Sequence, residues 1–164
     1  MAGRIKAGEG ALIGNAGEYY VMAELLKRGI IAALAPRNAP AFDILATNGT
    51  RSVKIRVKTK SHEYSDWQWM AKTDGSVFRN LSRKGDFTVL VNLAMELKDL
   101  KYYVVPTHKI DKLLRDDFEK WVNTPGKYGQ PHDPTNRKRN LGEDRYASEL
   151  CKYLNKWETL WSDG

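Results

Sequence analysis

Apolar residues recur along the chain with two different periods, and these periods predict where helices and strands lie. From residue 11 to 28 the spacing is helical, and it places Tyr19, Ala23 and Leu26 on the stripe expected to face the core, which Met22 and Leu25 widen. Short apolar runs predict five strands, at 30–35, 41–46, 51–59, 87–93 and 102–105. Helical spacing returns twice more, and it predicts helices beginning at Thr107 and covering 146–161.

Turn residues divide these elements and complete the predicted fold. Asn48-Gly49 lies between two apolar runs and predicts a β-hairpin. Residues 61–85 show no clear period, and we expect a short helix near 76–82 or a loop there. Residues 124–142 are rich in Pro, Gly and Asn and predict a flexible loop with a basic cluster. We therefore expect a single α/β domain over 1–164, with a central mixed five-stranded sheet flanked by helices in the order α-β-β-β-(short α or loop)-β-β-α-α.

Composition and charge limit the classes of function. The chain has 27 Lys and Arg against 20 Asp and Glu, a formal net charge of +7, which favours polyanionic partners. Charge alone does not separate a nucleic-acid-binding protein from a basic protein that binds no anion, so the placement of the charges has to decide. No apolar run reaches eighteen residues, the first ten residues lack the apolar core of a secretory signal, and Cys151 is the single cysteine. We expect a cytoplasmic protein that does not enter a membrane.

Three residues stand out because their chemistry conflicts with their position. Glu18 continues the apolar stripe of the first helix, where a carboxylate is costly unless it is paired or binds a cation. Asp43 interrupts an apolar strand, and Lys58 ends a strand on whose other face Val53 and Ile55 lie. Each also has a simpler explanation. Glu18 would lie in solvent at the edge of the stripe, Asp43 would lie at the edge of a strand, and Lys58 would belong to a basic strand face exposed to solvent. The hairpin would bring the aspartate and the lysine to one face.

In this order the residues resemble the PD-(D/E)XK nuclease superfamily, with its restriction-endonuclease-like and Holliday-junction-resolvase-like members. The resemblance covers roughly residues 14 to 121 and includes the later strands. The matching segments are Gly17-Glu18, Pro40-Ala41-Phe42-Asp43-Ile44-Leu45 and Val53-Lys54-Ile55-Arg56-Val57-Lys58-Thr59.

The resemblance implies a DNA-binding endonuclease that hydrolyses phosphodiester bonds with Mg²⁺, or with Mn²⁺ in its place. It implies that Asp43 and Glu18 hold the metal and that Lys58 stabilises charge near the attacking water and the phosphate. A homodimer would suit cleavage of both strands. The remaining basic residues near these segments and in the predicted loop are expected to contact the DNA backbone: Lys54, Arg56, Lys60, Arg137, Lys138 and Arg139.

Arg56 departs from the family pattern, which has Glu, Asp or Gln two residues before the lysine. A positive charge about 5 Å from a divalent ion costs roughly 6 to 7 kcal/mol at an effective dielectric constant near 20. Three outcomes stay open. Arg56 contacts a phosphate while Glu18 and Asp43 alone hold the metal, or Glu63 or Asp66 replaces the missing ligand, or the site no longer cleaves and binds nucleic acid only. A protein whose surface lysines serve solubility alone is a further alternative.

Overall fold

A computed structural model describes residues 9–37, 39, 41–62 and 65–162, and its elements follow the predicted order with local exceptions. Short 3₁₀ turns occur at Leu97–Asp99, Cys151–Tyr153 and Trp157–Trp161. In chain order the helices and strands are α1 (Gly10–Lys27), β1 (Ile31–Leu34), β2 (Ile44–Thr47), β3 (Ser52–Lys60), β4 (Trp67–Met70), β5 (Asp86–Asn92), β6 (Lys101–Pro106), α2 (Thr107–Asn123), β7 (Lys138–Leu141) and α3 (Ala147–Leu150).

The main sheet has five strands in the order β1-β2-β3-β5-β6. Neighbouring strands are antiparallel except for β3 and β5, which are parallel. The predicted hairpin joins β2 to β3, with Thr47 opposite Ser52 and Gly49 at a φ of +93° in the connecting turn. The predicted fold class, a mixed five-stranded sheet flanked by helices, is confirmed.

Two apolar clusters cover the two faces of this sheet. Every residue of β5 is buried, as expected for a central strand that is covered on both sides. One cluster joins the sheet to Val21 of α1 and to Leu160 near the C-terminal end. The other joins it to Ile110 of α2 and to Trp67 of β4. Within β3, Val53 and Ile55 belong to the first cluster, and the basic residues that alternate with them lie on the opposite face.

The buried side of α1 matches the predicted stripe only at Leu25. Gly17, Val21 and Leu25 are buried, whereas Tyr19 is 64% exposed and Leu26 is 53% exposed. Apolar residues surround almost the whole circumference of this helix, so its periodicity does not select one face, and packing against the sheet does.

Residues 76–82 form a loop, one of the two alternatives predicted there. Two further predictions need correction. The predicted loop at 124–142 contains a strand, β7, which pairs with β4. Each of these strands has four residues and its partner is about seventy residues away, so no local pattern reveals the pair. The predicted helix over 146–161 is broken into α3 and two 3₁₀ turns, with Asn155 at a φ of +54° between them. Among the described residues, no helix combines the length and hydropathy that crossing a bilayer requires.

Candidate active site

Asp43 is held at the point where β2 and β3 separate. Its backbone N–H donates to Ile55 O at 2.9 Å, and its carboxylate Oδ2 accepts a hydrogen bond from Val57 N–H at 2.7 Å. The side chain is thereby fixed to β3, one residue from Lys58.

Glu18 and Asp43 lie close enough for their charges to interact. Burial raises the pKa of Asp43, while the Val57 hydrogen bond and the charges of Arg56 and Lys58 oppose the rise. Burial also raises the pKa of Glu18; the Asp43 charge raises it further, and Arg37 lowers it. Repulsion between two partly buried carboxylates is relieved when a proton or a cation binds between them.

Close packing between α1 and β3 sets the position of Glu18. A Cβ atom at Gly17 would stand 1.9 Å from Thr59 Oγ1, so only glycine allows this approach. Thr59 Oγ1 is buried and makes no hydrogen bond within the described part of the chain. A glycine has no side chain, so another segment can approach its backbone closely. In the structure the segment that approaches Gly17 is β3, at Thr59.

Lys58 is partly buried beside Asp43. Burial lowers the pKa of Lys58, and the Asp43 charge opposes that change. The ammonium Nζ lies 5.3 Å from the centre of the Trp69 ring. In the described part of the chain, no carboxylate lies within ion-pair distance of it. Asp43 therefore lies beside Lys58, and its charge also affects the pKa of Glu18.

Arg56 occupies a different position from the predicted one. Its Nε donates to Asp86 Oδ1 at 3.0 Å and its Nη2 to Asp86 Oδ2 at 2.9 Å, with side chains only 11% and 0% exposed. Nη2 also donates to Arg79 O at 2.8 Å. The guanidinium therefore binds a buried carboxylate of β5 instead of extending toward a phosphate. Its charge is compensated by Asp86, which reduces the penalty that it would impose on a nearby cation.

The other predicted DNA-contacting residues of β3 are also engaged within the protein. Lys60 forms an ion pair with Glu143 at 2.7 Å, is 2% exposed in its side chain, and lies over the Trp67 ring. Lys54 Nζ is 3.8 Å from Asp86 Oδ2 and remains 30% exposed. Of these two lysines, only Lys54 keeps appreciable solvent exposure.

The basic cluster of the predicted loop is divided in the structure. Arg139 is 7% exposed, with its guanidinium 3.4 Å from the centre of the Phe118 ring, and it donates to two backbone carbonyls. Arg137 Nε donates to Ala71 O at 2.6 Å. Lys138 is exposed at the start of β7. Arg139 lines a cavity of about 870 Å³ whose lining includes none of Glu18, Asp43 and Lys58.

The donor set near Asp43 consists of two carboxylates, which suits a magnesium ion that keeps several waters. Asp66, one of the two residues considered as replacement ligands, instead forms an ion pair with Arg145 at 3.1 Å. Glu63, the other, lies outside the described residues. Within the ranges that the structure describes, no group of three or more His, Cys, Asp or Glu residues could hold a metal ion.

Two residues of the site were not predicted: Asp86, which compensates Arg56, and Trp69, which packs on Lys58. Asp86 opens an apolar strand after Gly85, and the same criterion that singled out Asp43, a carboxylate in an apolar run, would have found it. From the sequence alone, Trp69 suits either packing at the core or its edge or stacking on bases. In the structure it is half-buried between Lys58 and Phe78.

Comparisons with known proteins give similarity of fold. No family model matches the chain, and none of the curated proteins matches it. The chain is similar to Hjc, a Holliday junction resolvase from the archaeal hyperthermophile Archaeoglobus fulgidus, with 15% identity, 91% of this chain and 96% of that chain covered, and a TM-score of 0.48. It is also similar to a bacterial homing endonuclease, with 17% identity, 91% and 95% covered, and a TM-score of 0.42. These names describe the two matched proteins, and both TM-scores are below 0.5.

Proposed function

We propose that this protein binds DNA and hydrolyses its phosphodiester bonds with magnesium, at a site formed by Glu18, Asp43 and Lys58. One observation carries the proposal: the Asp43 carboxylate accepts from Val57 N–H at 2.7 Å, directly before Lys58, at the point where β2 and β3 separate. Its charge raises the pKa of Glu18 and opposes the lowering of the pKa of Lys58. Burial disfavours the charged form of all three groups. Titratable groups with shifted pKa values that meet in one place are typical of catalytic sites.

The three side chains take different roles in this proposal. Asp43 and Glu18 hold Mg²⁺, or Mn²⁺ in its place, together with water. A bound divalent ion polarises a phosphoryl oxygen and lowers the pKa of a bound water. The Val57 hydrogen bond keeps Asp43 oriented. Lys58 has no carboxylate within ion-pair distance in the described part of the chain, and a phosphate oxygen would provide its ammonium with an anionic partner.

A second candidate function is nucleic-acid binding without cleavage. Position 56 holds an arginine bound to Asp86 where the resembled family has an acidic residue or glutamine, and the described residues supply two carboxylates rather than three. The net charge of +7 supports a polyanionic partner in either case. A cytoplasmic location and a homodimer that cuts both strands belong to the same proposal.

A metal titration with a panel of substrates tests the proposal. Duplex, branched and single-stranded DNA and RNA are incubated with Mg²⁺ or Mn²⁺ and the wild type, Asp43→Asn, Lys58→Met or Lys112→Met. The last variant is a matched control, because Lys112 is an exposed lysine of α2 that pairs with Asp116. We expect metal-dependent cleavage of DNA, reduced about 100-fold or more in the first two variants and unchanged in the control. Binding without cleavage at any metal concentration supports the second candidate, and no DNA binding at low salt contradicts both.

A further inference from the structure

The loop between Phe78 and β5 carries a group of exposed cations. We define the basic loop as residues 79–84, and its exposed cationic residues are Arg79, Arg83 and Lys84. Within the described ranges, none of the three lies within ion-pair distance of a carboxylate. Burial lowers the pKa of His108, and the charges of Lys109 and Arg83 lower it further. Because Arg83 acts on His108, the loop lies beside the first turn of α2. The result is a positive surface that no internal anion neutralises.

The ion pair between Arg56 and Asp86 fastens this loop at two points. Arg56 Nη2 donates to Arg79 O at 2.8 Å, which holds the start of the loop. Asp86 Oδ2 accepts from Ser82 N–H at 3.2 Å, which holds its middle. A single buried pair therefore controls the path of a loop whose cationic side chains point to solvent.

The loop is also ordered from within. Ser82 Oγ donates to Lys84 O at 2.9 Å and accepts from Lys84 N–H at 3.3 Å. Asn80 has a φ of +50°, a conformation that asparagine tolerates better than most residues. Gly85 follows at a φ of +64°, and its carbonyl accepts from Lys54 N–H at 2.8 Å. A preorganised loop loses less conformational entropy when it binds a ligand.

A series of side chains in contact connects the loop to the candidate active site. Phe78, directly before the loop, lies 5.4 Å from the Arg56 guanidinium and meets the edge of Trp69 at 6.2 Å between ring centres. Trp69 in turn packs on Lys58. The basic loop is therefore connected to Lys58 through the rings of Phe78 and Trp69.

We propose that the basic loop contacts the phosphate backbone of nucleic acid and that Arg56 is the positioning residue that holds it in place. The inference rests on the proposed function for its partner, and it reassigns position 56. The arginine orders three cations that bind phosphates, and it does not bind a phosphate itself. Backbone phosphates are the fitting ligand because the loop offers three separate exposed cationic side chains on a backbone that is held by hydrogen bonds.

The salt dependence of binding tests the loop. Affinity for a DNA duplex is measured in EDTA over a range of salt concentrations, for the wild type and for the variant Arg79→Gln/Arg83→Gln/Lys84→Gln. Each lost phosphate contact makes the slope of log affinity against log salt shallower by about 0.9, so we expect a total change of about 2 to 3. The control Lys98→Gln/Lys127→Gln/Lys152→Gln removes the same charge from exposed positions elsewhere and is expected to keep the wild-type slope.

A second comparison tests the role of Arg56. The neutral pair Arg56→Met/Asp86→Leu removes both anchoring hydrogen bonds without leaving a buried charge unpaired, and it is expected to reduce the slope as the triple variant does. Added to the triple variant, it should change the slope no further, because both act through the same contacts. A further decrease would show that Arg56 binds phosphate directly. If the neutral pair fails to fold, hydrogen exchange of the Ser82 amide in the wild type still tests the anchor, and fast exchange there would contradict it.

The outcomes separate the two proposals. If the wild type binds no DNA, the proposed function fails and the inference fails with it. If the wild type binds DNA and the triple variant keeps the wild-type slope, only the inference about the basic loop is wrong.

Discussion

Gly17 of α1 lies directly against Thr59 of β3, where a Cβ atom would stand 1.9 Å from Thr59 Oγ1 and 3.0 Å from Thr59 Cβ. No larger side chain fits without movement of the helix or the strand. Glu18 follows the glycine and Lys58 precedes the threonine in the sequence. The contact therefore governs how close two of the three candidate catalytic side chains come to each other.

The first prediction concerns this contact. Gly17→Ala is expected to lower the free energy of unfolding by about 1 to 3 kcal/mol because it overpacks the interface between helix and strand. Gly14→Ala is the matched control: it lies in the same helix, a Cβ atom added there would have nothing within 4 Å, and the variant should gain about 0.5 to 1 kcal/mol from helix propensity. Urea unfolding of both variants measures the difference. Equal effects of the two substitutions would contradict the close approach.

The second prediction separates the charge of Asp43 from its hydrogen bond. Asp43→Ala leaves Val57 N–H without its acceptor and should cost about 1 to 3 kcal/mol of stability. Asp43→Asn keeps an acceptor oxygen and removes a charge that burial disfavours, so it should be more stable than the wild type at pH 7.

The pH dependence of that gain has a definite sign. Because the pKa of Asp43 is raised in the folded state, the wild type loses stability as pH rises from the ordinary value of 3.8 through the raised pKa. The gain from Asp43→Asn should therefore be absent below the ordinary pKa and complete above the raised one. Denaturation curves from pH 3 to 7 measure it, and a gain that grows toward low pH would refute the assignment.

The third prediction concerns cation binding independently of activity. A divalent ion between Glu18 and Asp43 stabilises the folded state; 10 mM Mg²⁺ with a Kd of about 1 mM would add about 1.4 kcal/mol at 25 °C. The gain should shrink as pH falls, because protons compete for carboxylates whose pKa values are raised. Asp43→Asn should abolish it, whereas Asp116→Asn, at an exposed carboxylate of α2, should not. Thermal unfolding with and without the ion provides the measurement, and equal shifts in both variants would place the ion elsewhere.

The fourth prediction concerns the ion pair of Arg56 and Asp86. Burial raises the pKa of Asp86, but the hydrogen bonds from Arg56, Thr107 and Ser82 and the charge of Arg56 together bring the pKa below its ordinary value. Arg56→Gln leaves a buried carboxylate without its main partner and should cost about 3 to 5 kcal/mol. Asp86→Asn in the same chain should recover much of that loss, with a coupling energy of about 1 to 3 kcal/mol. Additive effects in urea unfolding would contradict the pairing.

The ion pair of Arg56 and Asp86 also determines which variant can test the arginine at position 56, where the resembled family has Glu, Asp or Gln. Arg56→Glu would place a second carboxylate beside Asp86 and destabilise the protein through repulsion. A variant that restores an acidic residue at position 56 should therefore carry Asp86→Asn as well. Its magnesium affinity can then be compared with that of the variant Arg56→Gln/Asp86→Asn.

The fifth prediction separates two neighbouring basic residues of β7. Arg139→Ala removes a guanidinium that stacks on Phe118 and should cost about 1 to 3 kcal/mol of stability. Lys138→Ala alters an exposed side chain and should change stability by less than about 0.5 kcal/mol. If Lys138 contacts DNA, its loss makes the salt slope shallower by about 0.9. Urea unfolding and salt-dependent binding report the two effects, and the reverse pattern would restore Arg139 as the DNA contact.

Much of the fold follows from patterns within single segments. The hairpin between β2 and β3 is predicted by Asn48-Gly49 and two flanking apolar runs, and it brings Asp43 to the strand that carries Lys58. The alternation along β3 correctly assigns Val53 and Ile55 to one face. These predictions hold because hairpin geometry and strand alternation depend on neighbours a few residues apart.

The sequence by itself determined the order of α1, the five strands of the main sheet and α2, and it singled out Glu18, Asp43 and Lys58. Only the tertiary structure decided which side of α1 is buried, that β4 pairs with β7, and that Arg56 binds a carboxylate thirty residues away. Burial makes an unpaired charge or an unpaired strand edge costly. Its partner is therefore whichever segment packs against it in the fold, at any distance along the chain. Local periodicity does not predict which distant segment that is.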